Sequence, residues 1–229
     1  MSADSTQDGA PHREDPGLPG LPGPGAAEQE LAAGDAVQQP RLRLQLLAAA
    51  RSELRESGRA GLSLRAVARR AGVSHAAPAY AFRDRSGLLT AVAAQGFREL
   101  AAAMDAPTPP GDRRALAALG RRYVDFATAD PALYDLMFRT RELDVEDPEL
   151  QLAREASLRA LVAVTTDDGG ATGPGELTML SWTAAHGIAA LAVQGLLADG
   201  PAPDAAGGLP RSSPAALVDL FAALAHPGR

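Results

Sequence analysis

Side chains able to do covalent or metal chemistry are few in this 229-residue chain, and they are scattered. There is no cysteine and no lysine, all 22 basic residues being arginine. That excludes disulfides, thiol nucleophiles, thiolate-bound zinc, Schiff-base lysines and the P-loop lysine together. His12, His75, His186 and His226 lie in separate segments without metal-ligand spacing. Gly72-Val73-Ser74-His75-Ala76 misses the G-x-S-x-G nucleophile elbow at its last position, and a helix rather than a strand leads into it. Neither catalysis nor a cofactor or metal is expected. Recognition chemistry is better represented. His186 follows Trp182 by four residues on one helical face, where it could hydrogen-bond a ligand or stand as a satisfied structural histidine. Tyr123, Phe126, Tyr134, Met137 and Phe138 are pocket candidates on the same grounds, although such a stripe also reads as core.

Charge is unevenly placed. Net charge is −6, but residues 1–40 hold one arginine against seven acids, residues 41–100 eleven against four, and residues 101–229 ten against seventeen. The middle stretch is a basic island in an acidic protein, as a polyanion-binding module requires, or else a solvated charged face. Aromatics make up 4% and alanine is abundant, so the core must come from Leu, Val and Ala on closely packed helices. The expected fold is all-α.

Residues 1–40, rich in proline and glycine, read as a disordered acidic tail. The start is acidic and without an apolar run, so no secretory signal is expected and the protein is expected in the cytoplasm. From Arg41 the pattern is helical. Leu46, Leu47, Ala50 and Leu54 form one stripe, with Gly58 placed to end the helix. Ser63 caps a second helix stopped by Gly72, Ser74 caps a short third, and Asp84 caps a fourth running to about Met104. Proline-rich residues 107–110 and the loop 167–174 separate further helices near Leu116–Phe126, Leu133–Met137, 148–166, 176–198 and Pro214–Ala225, giving about nine in all. Residues 177–198 carry no Asp, Glu or Arg and are long enough to cross a bilayer. Their Thr, Ser, His and Gln content favours instead a helix buried on several sides, with Ala184, Gly187, Ala190 and Gly195 admitting a second helix at a subunit interface.

The short third helix makes sense as half of a helix-turn-helix, which needs a tight turn, a small residue where the helices cross, and a second helix short enough for the major groove. Gly72 supplies the turn, Ala68 the crossing, and Pro78 stiffens the first turn of the short helix. Residues 41–100, with "GLSLRAVARRAGVS" and "FRDRSGLL", resemble the DNA-binding domain of the TetR family of one-component bacterial regulators. "SWTAAHGIAALAVQG" resembles the Trp-x-x-x-His-Gly signature of its WHG-type C-terminal domain. The chain departs from the family at Ala79-Tyr80-Ala81-Phe82, where a Tyr-x-His-Phe pattern is common, and at Arg85, where many members carry lysine.

The resemblance implies a helix-turn-helix domain over 41–100 and a helical regulatory, ligand-binding and dimerisation domain over 101–229. Ser63, Arg65, Ser74 and Arg85 would meet phosphates, while His75, Ala76, Ala77 and Tyr80 would face the groove. Tyr80 could instead be a core aromatic with its hydroxyl out, and Arg65, Arg69 and Arg70 a solvated face. Arg41 and Arg43 could reach a minor groove from a flexible arm. Trp182 and His186 join the pocket candidates. The implied partners are double-stranded DNA, a second copy of the chain and a small-molecule effector, with no membrane; the implied function is a ligand-released repressor, the alternative being an architectural DNA-binding protein without an effector.

Overall fold

The computed structural model describes residues 24–105, 113–165, 175–197 and 212–225, with residues 24–37 described for their backbone alone. Among them there are nine α-helices and no strand: α1 (Pro24–Gly61), α2 (Leu64–Ala71), α3 (Ala77–Phe82), α4 (Arg85–Met104), α5 (Arg113–Ala129), α6 (Pro131–Met137), α7 (Pro148–Thr165), α8 (Glu176–Val193) and α9 (Pro214–Ala225), with a 3₁₀ turn at Thr140–Glu142 between α6 and α7. No helix among the described residues is long and apolar enough to cross a membrane. His12, His226 and the breaks expected at 107–110 and 167–174 lie outside the described residues.

The chain divides into two units at Arg41–Leu42. In the first, residues 1–23 lie outside the described range and residues 24–40 are helical, where the composition of 1–40 suggests no order. That composition is an average over two unlike stretches. Proline and glycine are concentrated up to Gly25, whereas Ala26-Ala27-Glu28-Gln29-Glu30-Leu31-Ala32-Ala33 are strong helix formers led by Pro24, which suits a first helical position. Helix α1 extends past Gly58, which breaks the helical dihedrals at φ 63°.

In the second unit one continuous apolar core runs from Leu46 and Leu54 of α1 through Val67, Leu88, Val92, Leu119 and Leu136 to Val218 and Ala222 of α9. Helix α4 lies at its centre, packing most extensively on α7 and also touching α3, α5 and α6. It runs without a break through residue 100, where the sequence places a domain boundary; the part of this unit up to residue 100 is called the head below, and the part after it the body. Helices α5, α8 and α9 pack on one another in the body.

Candidate nucleic-acid interface and ligand cavity

The head is built by local rules. Ser63, extended at φ −138°, accepts from the amide of Ala66 at 3.2 Å and starts α2. Gly72 ends it at φ 67°, donating to the Arg69 carbonyl at 3.2 Å while the Val73 amide reaches Ala68 at 3.1 Å, a full Schellman closure that a side chain at residue 72 would strain. Gln45 of α1 donates to the last free carbonyl, that of Ala71, at 2.8 Å. Ala68 of α2 is fully buried. The short helix starts later than expected. Residues 75 and 76 form a turn, α3 begins at Ala77 with no side-chain cap, and Ser74 offers its carbonyl rather than its hydroxyl, to the Ala77 amide at 3.1 Å. The reason is Pro78, which has no N–H to return to Ser74, so the first i to i−4 bond is that from Tyr80 to Ala76 at 3.0 Å.

Pro78 and Phe82 anchor α3 in the core, which leaves Tyr80 pointing outward at 78% exposure. The core-aromatic alternative for Tyr80 is thereby removed. His75 and Ala76 are exposed beside it and Ala77 is half-buried. Helix α3 joins α4 through a γ-turn at Arg83 (φ 67°, ψ −62°), with the Asp84 amide donating to Phe82 at 2.8 Å, a strained arrangement for a residue with a side chain. Asp84 caps α4 on the Gly87 amide at 2.9 Å. A Cβ at residue 87 would overlap the Phe82 carbonyl oxygen, so only glycine lets α3 sit this close to α4.

Many arginines of the basic island pair with carboxylates beyond residue 100, although Arg41, Arg55, Arg65, Arg69, Arg70, Arg83 and Arg98 keep exposed surface. Asp130 holds Arg51 and Arg55 at 3.0 Å and 2.8 Å, Glu142 binds Arg59, and Glu149 takes Arg43 and Arg98 at 3.2 Å and 2.7 Å. Arg70 pairs with Glu53 and Glu56 inside the head. Burial alone would raise the Asp130 carboxyl, but the Arg55 and Arg51 hydrogen bonds hold it below the ordinary carboxylate value. Arg85 donates to the carbonyls of Leu62 at 3.0 Å and Arg59 at 2.8 Å, closing the end of α1, and lies 3.6 Å from Glu142. Its fork is thus directed inward, unlike the phosphate contact the family resemblance implies. Arg65 is exposed on α2, and Ser63 and Ser74 are exposed at the ends of the turn region.

The body holds a partly open cavity of about 280 Å³, walled by α4, α5, α7, α8 and α9 and almost wholly apolar. Three of the seven pocket candidates, Tyr123, Phe138 and Trp182, line it. Tyr134 and His186 stand behind that wall. Nδ1 of His186 lies 2.9 Å from both the Tyr123 and Tyr134 hydroxyls, and its ring meets Phe138 edge-on at 4.6 Å and Trp182 at 5.2 Å. Burial lowers the His186 pKa and raises both phenols, Tyr134 to about 12. In a neutral ring protonated on Nε2, the single lone pair of Nδ1 can take a proton from one phenol at a time, and the Tyr134 hydroxyl also reaches the His186 carbonyl at 3.4 Å. Met137 is fully buried and Phe126 half-buried, and neither lines the cavity: Met137 sits under α4, its sulfur 2.7 Å from where a Cβ on Gly96 would be. Helical spacing identifies a buried face without saying which part of it borders a void. Arg154 of α7 and Ser181 of α8 line the cavity and escape a search for aromatics. The signal for Arg154 was present, as a charge inside the apolar stripe Leu150, Ser157, Leu158, Leu161.

A short helix held by a tight turn and carried on an all-helical body defines the helix-turn-helix class of DNA-binding regulators. Residues 46–92 match the family of bacterial regulatory proteins described as tetR, and residues 116–209 match the tetracyclin repressor-like C-terminal domain. The chain belongs to the TetR family and is a transcriptional regulator. A solved structure described as a protein with unknown function from Rhodococcus sp. RHA1 is 35% identical, over 82% of this chain and 94% of that one, with a TM-score of 0.64. The multidrug binding protein EbrR, solved in complex with imidazole, is 21% identical over 83% of this chain and 92% of that one, with a TM-score of 0.54, a likeness of fold. No curated protein matches the chain.

Proposed function

We propose that this regulator is a cytoplasmic, homodimeric repressor that binds a near-palindromic operator through α3 and is released by a small molecule in the body cavity. The observation that carries the reading is the double role of α4. Its first turn, through Asp84 and Gly87, sits against the Phe82 carbonyl at the end of α3, and its last turns contribute Phe97, Leu100 and Met104 to the cavity wall. A ligand that alters those side chains acts on the same rigid rod that carries the groove-facing helix. A coupling of about 1–3 kcal/mol through it would change DNA affinity roughly 5- to 150-fold.

His75 and Tyr80 supply base-edge hydrogen bonds, Ala76 and Ala77 present methyl groups, and Arg65 with the exposed Ser63 and Ser74 meets phosphates. Dimerisation rests on α8 and α9. Leu180 and Met179 on α8 and Leu220 and Leu224 on α9 are exposed, Leu224 by 70%, and a Cβ at Gly187 would meet nothing within 4 Å. Such a face suits closure by its own copy.

The test is selection of bound duplexes from a random pool by the purified full chain, with light scattering of the same sample. An inverted repeat with half-sites about one helical turn or a multiple apart, bound by a dimer, is expected. A monomer without sequence preference refutes the reading.

A further inference from the structure

The cavity wall carries one charged residue. Arg154 enters it from α7 with its guanidinium over the Phe97 ring at 5.4 Å. No carboxylate among the described residues lies within ion-pair distance, in contrast with Arg43, Arg51, Arg55 and Arg59, each of which has one. Burial lowers its pKa, the direction expected of a cation taken from water without a counter-charge. Ser181 of α8 lines the same cavity at 2% exposure, and its buried Oγ has no hydrogen-bond partner. A buried hydroxyl is normally satisfied. The rest of the wall is mainly aliphatic and aromatic, its other polar side chains being Tyr123, Thr140 and Ser157.

Resting on the effector reading above, we propose that the ligand is a small apolar monocarboxylic acid, its carboxylate on Arg154 and Ser181 and its hydrocarbon body against the apolar wall. An ionised carboxylate is an acceptor with no proton to give, and it matches a guanidinium fork and a hydroxyl donor. The single cation favours one negative charge over two, and the volume, at the small end of ligand cavities, excludes bulky molecules.

The experiment is calorimetric titration of the full chain with two matched sets: octanoate, 1-octanol and octylammonium, then 3-phenylpropionate, 3-phenylpropanol and 3-phenylpropylammonium. The acid of at least one set is expected to bind about 10- to 100-fold more tightly than its alcohol, with the ammonium weakest, and the better set tells an aliphatic from an aryl source. Arg154→Met should bring the acid down to the level of the alcohol while the alcohol is unaffected, and Arg154→Lys should restore part of the gap. Ser181→Ala should weaken acid binding yet raise the Tm of the free protein, because the unpaired hydroxyl is gone, which a merely structural serine would not do. Equal binding of acid and alcohol, preference for the ammonium, or binding by none of the six overturns the inference. Duplex binding measured alongside keeps the two readings apart: acids that bind by Arg154 without changing DNA affinity uphold this inference and sink the effector reading, whereas release by the alcohols does the reverse.

Discussion

Asp130 ties α1 to the start of α6, and the effect of its removal follows from its partners. Its carboxylate is 7% exposed and accepts from Arg51 and Arg55 of α1, while Oδ1 also caps α6 on the Leu133 amide at 3.3 Å. Arg51, at 15% exposure, would be left with Glu99, so the loss falls below the roughly 3–5 kcal/mol of breaking a lone buried pair. Taking about 2–3 kcal/mol for the pair and about 1 kcal/mol for the cap, Asp130→Ala should destabilise by about 3–4 kcal/mol. For a chain of this size that is a Tm lower by about 6–16 °C. Arg55→Ala should cost at most about 1 kcal/mol, since Arg55 is 55% exposed and Asp130 keeps Arg51. Asp130→Asn, which retains the cap, should fall between. The Asp130 carboxyl is held below its ordinary value, so its contribution is complete above about pH 4 and is lost as pH falls further, and the Asp130→Ala deficit should shrink in acid. Thermal melts followed by circular dichroism across pH measure all of this. Equal losses for Arg55→Ala and Asp130→Ala, or a deficit that persists in acid, would refute the reasoning.

Three further outcomes are expected. Gly87→Ala should force α3 away from α4 and cost about 1–3 kcal/mol together with most duplex binding, read by melting and by fluorescence anisotropy. Arg65→Ala should weaken specific and random duplexes alike and lower the salt slope by about one, whereas Tyr80→Ala, at a position 78% exposed, should relax sequence preference with little change in Tm; the reverse pattern would exchange their roles. Burial keeps the folded pKa of His186 below its unfolded value near 6.5, so the unfolded chain binds a proton first as pH falls. Stability should therefore decline from about pH 6.5 downward, and His186→Asn should flatten that decline in urea titrations; an unchanged slope would mean the ring takes up its proton as readily in the folded as in the unfolded chain.

Much of the head was legible from local chemistry. The caps at Ser63 and Asp84 and the left-handed stop at Gly72 are encoded within a turn or two of where they act, and the structure has them there. The start of α3 was misplaced because a missing proline N–H outweighs a capping hydroxyl, and order in residues 24–40 was missed because a mean over forty residues hid a helix-forming stretch. The long apolar segment is expected to be buried on several sides; in a single chain Thr178, Ser181 and Ala189 are buried, Trp182, Ala185, His186 and Ile188 are half-buried, and Met179, Leu180, Thr183, Gly187 and Leu191 are exposed.

Charge and cavity behave differently. That eleven arginines cluster in residues 41–100 is a property of the chain written out, but which of them are open to a polyanion depends on Asp130, Glu142 and Glu149, carboxylates distant in sequence. Likewise helical spacing marks Tyr123, Tyr134, Phe138 and Trp182 as inward-facing, while the void beside three of them exists because five helices fail to close completely around one point. Helix identity, turns and caps follow from neighbours along the backbone, where a residue's partners are a few bonds away. Ion pairing and empty volume are properties of surfaces brought together from remote segments, the first where α1 meets the start of α6, the 3₁₀ turn and α7, the second among α4, α5, α7, α8 and α9.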